Sequence, residues 1–168
     1  GDVYKRQSID AVFLRMNQSM STYWPNAIIS KVNRNESVTT DADFKKVFQT
    51  AKTIWKQTDG YFDPTVGALV NAYGFGPTKS LEQIDHAVID SLLNLTGLDK
   101  VSLLPDGTIN KVHKNTYLDF NAIAKGYAVD ALASMLQSLG YDQFLVEVGG
   151  ELFACLLYTS DAADDLGR

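Results

Sequence analysis

The run Asp119-Phe120-Asn121-Ala122-Ile123-Ala124-Lys125-Gly126-Tyr127-Ala128-Val129-Asp130 constrains the fold more than any other part of the chain. Before it, Thr116-Tyr117-Leu118 has strand-like composition. After it, Ile123, Tyr127, Ala131, Met135 and Leu139 recur at helical spacing beside Ala128, Leu132 and Leu136, until Gly140 supplies a stop. A strand end therefore turns directly into a helix. The unpaired amides of such a helix start, with the helix dipole behind them, favour an anionic ligand such as phosphate.

Elsewhere helices alternate with short strands. Ile9, Val12, Phe13, Met16 and Met20 describe an opening helix that ends before a turn at Tyr23-Trp24-Pro25-Asn26. Thr40 with Asp43 forms a capping pair for a second helix, whose buried stripe is Phe44, Val47, Phe48, Ala51, Ile54 and Trp55 and whose stop is Gly60. Asp63-Pro64 reads as an N-cap and first helical position for a short helix over Thr65 to Ala72, closed by Gly74. Tyr73 to Pro77 is irregular, and Ser80 with Gln83 starts a helix carrying Leu81, Ile84 and Val88. Lys100–Leu104 and Thr108–Val112 flank Pro105-Asp106-Gly107, a hairpin signal. Phe144 to Val148 is a buried-type strand running into Gly149-Gly150-Glu151. Helices mixed with hairpin-joined strands point to an α+β architecture.

The two ends need a separate reading. Asp2-Val3-Tyr4-Lys5-Arg6-Gln7 can be encoded by GATGTGTATAAGAGACAG, and the reverse complement of that DNA, read one base later, gives Cys155-Leu156-Leu157-Tyr158-Thr159. One inverted tag resembling a sequencing-library transposon end thus accounts for both termini. Residues 1–7 and 155–168 are expected to be translated tag, and residues 8–154 the natural domain. That domain keeps 12 basic and 16 acidic side chains, a formal charge of −4, so no basic face for nucleic acid is implied. The only cysteine, Cys155, lies in the suspect tail, which removes thiol catalysis and cysteine-bound metal.

Familiar nucleotide and hydrolase motifs (GxGxxG, P-loop, HExxH, GxSxG) are absent. What remains is a set of residues at element ends: Asp63 before a helix, Asp119 after a strand, Lys125 in a first helical turn and Gly149-Gly150 after a strand. Each has an ordinary structural reading as a cap, a solvated stem or a turn. His86 and His113 lack metal-ligand spacing. Tyr23, Trp24, Tyr61, Phe62, Tyr73 and Phe75 either line a slot for a flat ring or fill a core.

Five blocks stand in order: Met20-Ser21-Thr22-Tyr23 followed by Ile29-Ser30-Lys31-Val32-Asn33; Asp59-Gly60-Tyr61-Phe62-Asp63-Pro64-Thr65-Val66-Gly67; Leu69-Val70-Asn71 with Tyr73-Gly74-Phe75-Gly76-Pro77; Leu118 to Asp130; and Val146-Glu147-Val148-Gly149-Gly150-Glu151. On these blocks the chain resembles the FAD:protein FMN transferases, the ApbE-type flavin transferases, across residues 8–154. The resemblance implies an ApbE-like α+β fold, helices packed on a mixed or antiparallel sheet, incomplete at both ends. It implies transfer of FMN from FAD, with Mg²⁺, to a Ser or Thr hydroxyl of an acceptor redox protein, releasing AMP. FAD-contacting residues carried over are Tyr23, Tyr61, Phe62, Asp63 and Asp119, with the Ala122 carbonyl as a metal ligand. Lys125 near the phosphates and Gly149-Gly150 close to the nucleotide are added from their position in the chain. The family's catalytic histidine, with an aspartate and a threonine of the metal site, follows Gly-Gly-Glu and has no counterpart here. The fragment is therefore expected to be inactive on its own. A non-catalytic FAD-binding flavoprotein or carrier is the alternative. The resemblance also implies a periplasmic or cell-envelope protein on the outer face of the cytoplasmic membrane, held by an N-terminal lipid anchor absent from this sequence.

Overall fold

A computed structural model describes residues 2–78, 81 and 83–155. Its elements in chain order are α1 (Asp2–Met20), α2 (Ile28–Asn33), α3 (Ala42–Gln57), α4 (Gly67–Ala72), α5 (His86–Asn94), a 3-10 turn (Leu98–Lys100), β1 (Val101–Leu103), β2 (Ile109–Lys111), α6 (Asn121–Ser138), β3 (Phe144–Val148) and β4 (Glu151–Cys155). The fold is α+β, as the element pattern anticipates. Two compact units divide it: Phe13–Ala124 forms one, while Gly1–Val12 with Lys125–Arg168 forms the other.

In the Phe13–Ala124 unit the core is aromatic and aliphatic. Phe44, Val47 and Phe48 of α3 are buried with Ile29, Leu98, Val101, Leu118 and Phe120. Phe44 meets Phe120 edge-on at 5.2 Å between ring centroids, a favoured aromatic geometry. Leu118 and Phe120 both point inward, and their burial leaves the intervening Asp119 only partly covered. The end of α1 is tied to the start of α3, where Ser19 Oγ donates to Asp41 Oδ1 at 2.9 Å and Arg15 pairs with Asp43 at 2.6 Å. The β1–β2 hairpin is antiparallel with Ser102 opposite Asn110. Its turn is fastened by Thr40, whose N–H and Oγ both donate to the Gly107 carbonyl.

Several local expectations change. α1 begins at Asp2 instead of near Ile9, and its Phe13 is exposed while Ser19 is buried. The cap of α3 is Asp41, accepting from the Phe44 amide at 2.7 Å, because the Thr40 hydroxyl is already engaged by the hairpin. The short helix after Pro64 starts at Gly67 with Val66 at its cap position, so Asp63 does not cap it. α5 starts at His86, capped by Asp85; Leu81 and Ile84 precede it, and Ser80 lies outside the described residues. Thr116-Tyr117-Leu118 forms no full strand, only a parallel bridge from Tyr117 to Val66.

The other unit holds most of α6 and the β3–β4 hairpin. Its buried helix positions are Ala128, Val129, Leu132 and Ala133: Ala128 and Leu132 belong to the expected apolar face, whereas the Ile123–Tyr127–Ala131–Met135 line beside them is not buried. β3 is not buried throughout, since only Val146 is covered and Leu145 is exposed. Gly149 and Gly150 connect β3 to β4 with φ of 57° and 95°. Two successive positive φ values make the tight hairpin turn for which Gly-Gly is suited.

Candidate active site

A cleft of about 430 Å³ opens on the Phe13–Ala124 unit between Tyr61–Val66, Val70, Phe75 and the start of α6 at Asp119, Asn121 and Ala122. Five of the residues expected to serve a site, Tyr61, Phe62, Asp63, Asp119 and Ala122, therefore share one lining. Tyr23 joins them indirectly, its hydroxyl 3.4 Å from the Phe75 carbonyl. The cleft falls in the size range of small-molecule sites, with largely apolar walls and a polar end.

Its aromatic rim is bare. Tyr61 is 97% exposed and Phe75 79%, with Tyr23, Trp24 and Tyr73 also exposed. Of the two readings left open for these rings, a core role is not what the structure shows. Tyr61 and Phe75 border the concave surface, whereas Trp24 and Tyr73 are not part of its lining.

Asp63 and Asp119 differ sharply. Asp63 Oδ1 accepts from the Thr65 amide and hydroxyl, and Oδ2 accepts from Trp55 Nε1 at 3.0 Å and the Leu98 amide at 3.3 Å. Its carboxylate is thus saturated by α3, the loop before the 3-10 turn and its own turn. Thr65 extends the junction by accepting from the Gly97 amide at 2.6 Å. Among the described residues the Asp119 carboxylate makes only local bonds, accepting from the Asn121 amide at 2.7 Å and the Asn121 side chain at 3.2 Å. Asp119 stands one residue before the cap position of α6 and closes a local turn, its carboxylate already on one of the amides that a phosphate would seek.

Residues that motif reading did not single out hold this corner in place. The Asp119 amide donates to the Pro64 carbonyl at 2.8 Å. Gly67 packs so closely that a Cβ there would lie 2.4 Å from Tyr117 Cδ1 and 2.8 Å from the Tyr117 carbonyl. Only glycine fits without displacing Tyr117, and Asp119 Cβ stands 3.3 Å away. The Tyr117 phenol is pushed above its ordinary pKa, first by burial and further by the nearby Asp119 charge, and so remains a neutral hydroxyl. Gly67 stood within a quoted block. Its indispensability could not be read from sequence, because it depends on a residue 50 positions away.

Lys125 and Gly149 meet in the other unit, where a Cβ at Gly149 would contact the Lys125 Cε and Nζ at 3.5 Å. Gly150 completes the turn. These three residues form a group of their own.

Metal ligation was tested on the donors present. The Ala122 carbonyl and Asp119 carboxylate are hard oxygens and both line the cleft. Among the described residues no group of three His, Cys, Asp or Glu could hold an ion. A hard divalent cation takes about six oxygen ligands, so these donors alone do not make a metal site.

The chain matches the family model described as the ApbE family over residues 2–160. It is 36% identical over 156 residues to an FAD:protein FMN transferase from Haemophilus influenzae, covering 88% of this chain and 45% of that protein. It is 32% identical over 143 residues to an FAD:protein FMN transferase from Escherichia coli, covering 81% of this chain and 41% of that protein. Among solved structures, the flavin transferase ApbE from Vibrio cholerae matches with a TM-score of 0.86 and 30% identity, covering 92% of this chain and 51% of that one. The apo form of Pseudomonas stutzeri flavinyl transferase ApbE matches with a TM-score of 0.84 and 28% identity, covering 92% and 52%. The chain spans less than half the length of these curated relatives and about half of these solved chains.

Proposed function

The chain belongs to the ApbE family, and we propose that the intact protein moves FMN from FAD to a Ser or Thr hydroxyl of an acceptor protein. In this reaction the hydroxyl oxygen attacks the phosphorus on the FMN side of the pyrophosphate. The bridging P–O bond breaks, AMP departs with the bridging oxygen, and the hydroxyl proton is released. Such a transfer relies on positioning, on exclusion of water and on neutralising the phosphates.

The single observation that carries this reading is the cleft, where bare aromatic rings face a helix start across one apolar wall. We place the flavin ring against Tyr61, Phe62 and Phe75, with Tyr23 at the edge, and the phosphate end toward Asp119, Asn121 and Ala122. Asp63 acts in this scheme by fixing the wall, since all its carboxylate bonds run inward. Mg²⁺, when bound, would neutralise pyrophosphate charge. The Ala122 carbonyl and the Asp119 carboxylate would hold it in part, with its remaining oxygen ligands coming from other groups.

The acceptor is proposed to be a redox protein that presents its hydroxyl on an accessible loop, at the outer face of the cytoplasmic membrane. Among the described residues no helix is long and apolar enough to cross a membrane.

Co-expression of the full-length protein with a candidate acceptor, followed by denaturing electrophoresis, tests the reading. Covalent fluorescent flavin on the acceptor is expected. FAD that binds but dissociates on denaturation would instead identify a flavin carrier.

A further inference from the structure

Asn33, the last residue of α2, reaches across 85 positions of sequence to bond both backbone groups of Leu118. Its Nδ2 donates to the Leu118 carbonyl and its Oδ1 accepts from the Leu118 amide, each at 2.8 Å. A carboxamide presents a donor and an acceptor side by side, as a peptide unit does. On one side of Thr116–Leu118 stands the single parallel bridge between Tyr117 and Val66. Asn33 satisfies Leu118 where a second neighbouring strand would otherwise be needed. This explains why a segment of strand composition stays ordered without joining a sheet. Leu118 is fully buried, so its two polar groups require partners.

A second tie reinforces the first. Lys111 Nζ donates to the carbonyls of Lys114 and Thr116 at 3.0 Å each and approaches the Asn33 carbonyl at 3.4 Å. The end of α2, the end of β2 and the segment leading into Asp119 are thereby gathered around two side chains.

We propose that Asn33 is a positioning residue for the cleft, acting through Leu118 to hold the Asp119 backbone against Pro64 and so to fix the start of α6. The functional half of this proposal rests on the flavin reading above; the positional half does not. Loss of the Asn33 side chain frees Leu118, lets the Asp119 amide leave the Pro64 carbonyl, and displaces the Asp119–Ala122 edge of the cleft.

The test uses the ¹⁵N-labelled chain as wild type, Asn33→Ala and Asn33→Asp, at a temperature where circular dichroism shows all three folded. Amide exchange is read at Leu118, Asp119 and Asn121, with Val47 in the buried face of α3 as internal reference. In Asn33→Ala the exchange at Asp119 and Asn121 is expected to rise about tenfold relative to Val47. Acceleration confined to Leu118 itself would overturn the proposal. In Asn33→Asp the ionised carboxylate can accept but not donate, and protonation restores a donor. Acidification should therefore bring its exchange ratios back toward wild type, with no such recovery in Asn33→Ala. Absence of recovery overturns the proposal even if Asn33→Ala fails to fold. FAD titration of the full-length protein, as wild type and Asn33→Ala, followed by flavin fluorescence, is a separate readout. An affinity about tenfold weaker in Asn33→Ala is expected, and unchanged affinity would overturn the link to the cleft. If wild type takes up no FAD while the exchange pattern holds, the flavin reading fails and the positional role stands.

Discussion

Asp63 and Asp119 line the same cleft, yet their carboxylates do opposite things. Asp63 takes donors from Trp55, Thr65 and Leu98 and has no bonding capacity left for a ligand. Asp119 bonds only to Asn121, two residues on, and stays partly open. Two aspartates of one motif family therefore divide into a keystone and a presented group. The division follows from their neighbours: Thr65, Trp55 and Leu98 converge on Asp63, whereas buried Leu118 and Phe120 turn Asp119 outward.

The largest effect should come from the keystone. Asp63→Ala strands the Trp55 indole N–H, the Leu98 amide and the Thr65 donors, and is expected to lower stability by about 3 kcal/mol in urea unfolding. A loss comparable with a surface substitution would erase the contrast. Next, Gly67→Ala forces a methyl group into the Tyr117 ring and carbonyl and should cost about 2 kcal/mol by the same measurement, while also weakening FAD binding because Asp119 must shift. Asp119→Ala should cost only about 1 kcal/mol, the ordinary value of a lost hydrogen bond, yet abolish FAD binding in the full-length protein. The same small cost with unchanged binding would leave Asp119 as a turn residue and nothing more.

Tyr61→Ala sharpens the contrast from the aromatic side. With Tyr61 97% exposed, its removal should change stability by no more than about 0.5 kcal/mol. FAD affinity, followed by flavin fluorescence, should nevertheless fall about tenfold.

The smallest effect concerns pH. Burial lowers the Lys111 pKa to about 8 in a polar cleft it shares with Glu36, Asp106 and Lys114. The unfolded lysine keeps its proton to about pH 10.4, so between these values the unfolded state binds more protons and stability rises with pH. The burial cost of the charged form is present in full below pH 8 and is relieved above it. Urea unfolding of wild type and Lys111→Met across pH 7 to 10 should show this gain in wild type alone.

Much of this architecture was legible in the residues. Of the expected stripe, Phe44, Val47, Phe48 and Ala51 are buried while Ile54 and Trp55 are half-buried, and Pro105-Asp106-Gly107 does turn a hairpin. Failures occurred where a side chain was claimed by a distant partner. Thr40 left its capping role for Gly107, Asp63 left its own for Leu98, and Thr116–Leu118 exchanged a strand neighbour for Asn33. Local pattern cannot register such claims, because the competing acceptor or donor lies tens of residues away. The cleft residues were recoverable as motif members. Which aspartate is sealed and which is open was not, since that depends on bonds made only after the chain has folded.

A crystal structure of the full-length protein with FAD tests the central claim most directly. The account predicts the flavin ring against Tyr61 and Phe75, with phosphate density reaching the Asp119–Ala122 edge. Flavin bound elsewhere, with Tyr61 still bare and the edge of α6 untouched, would contradict it.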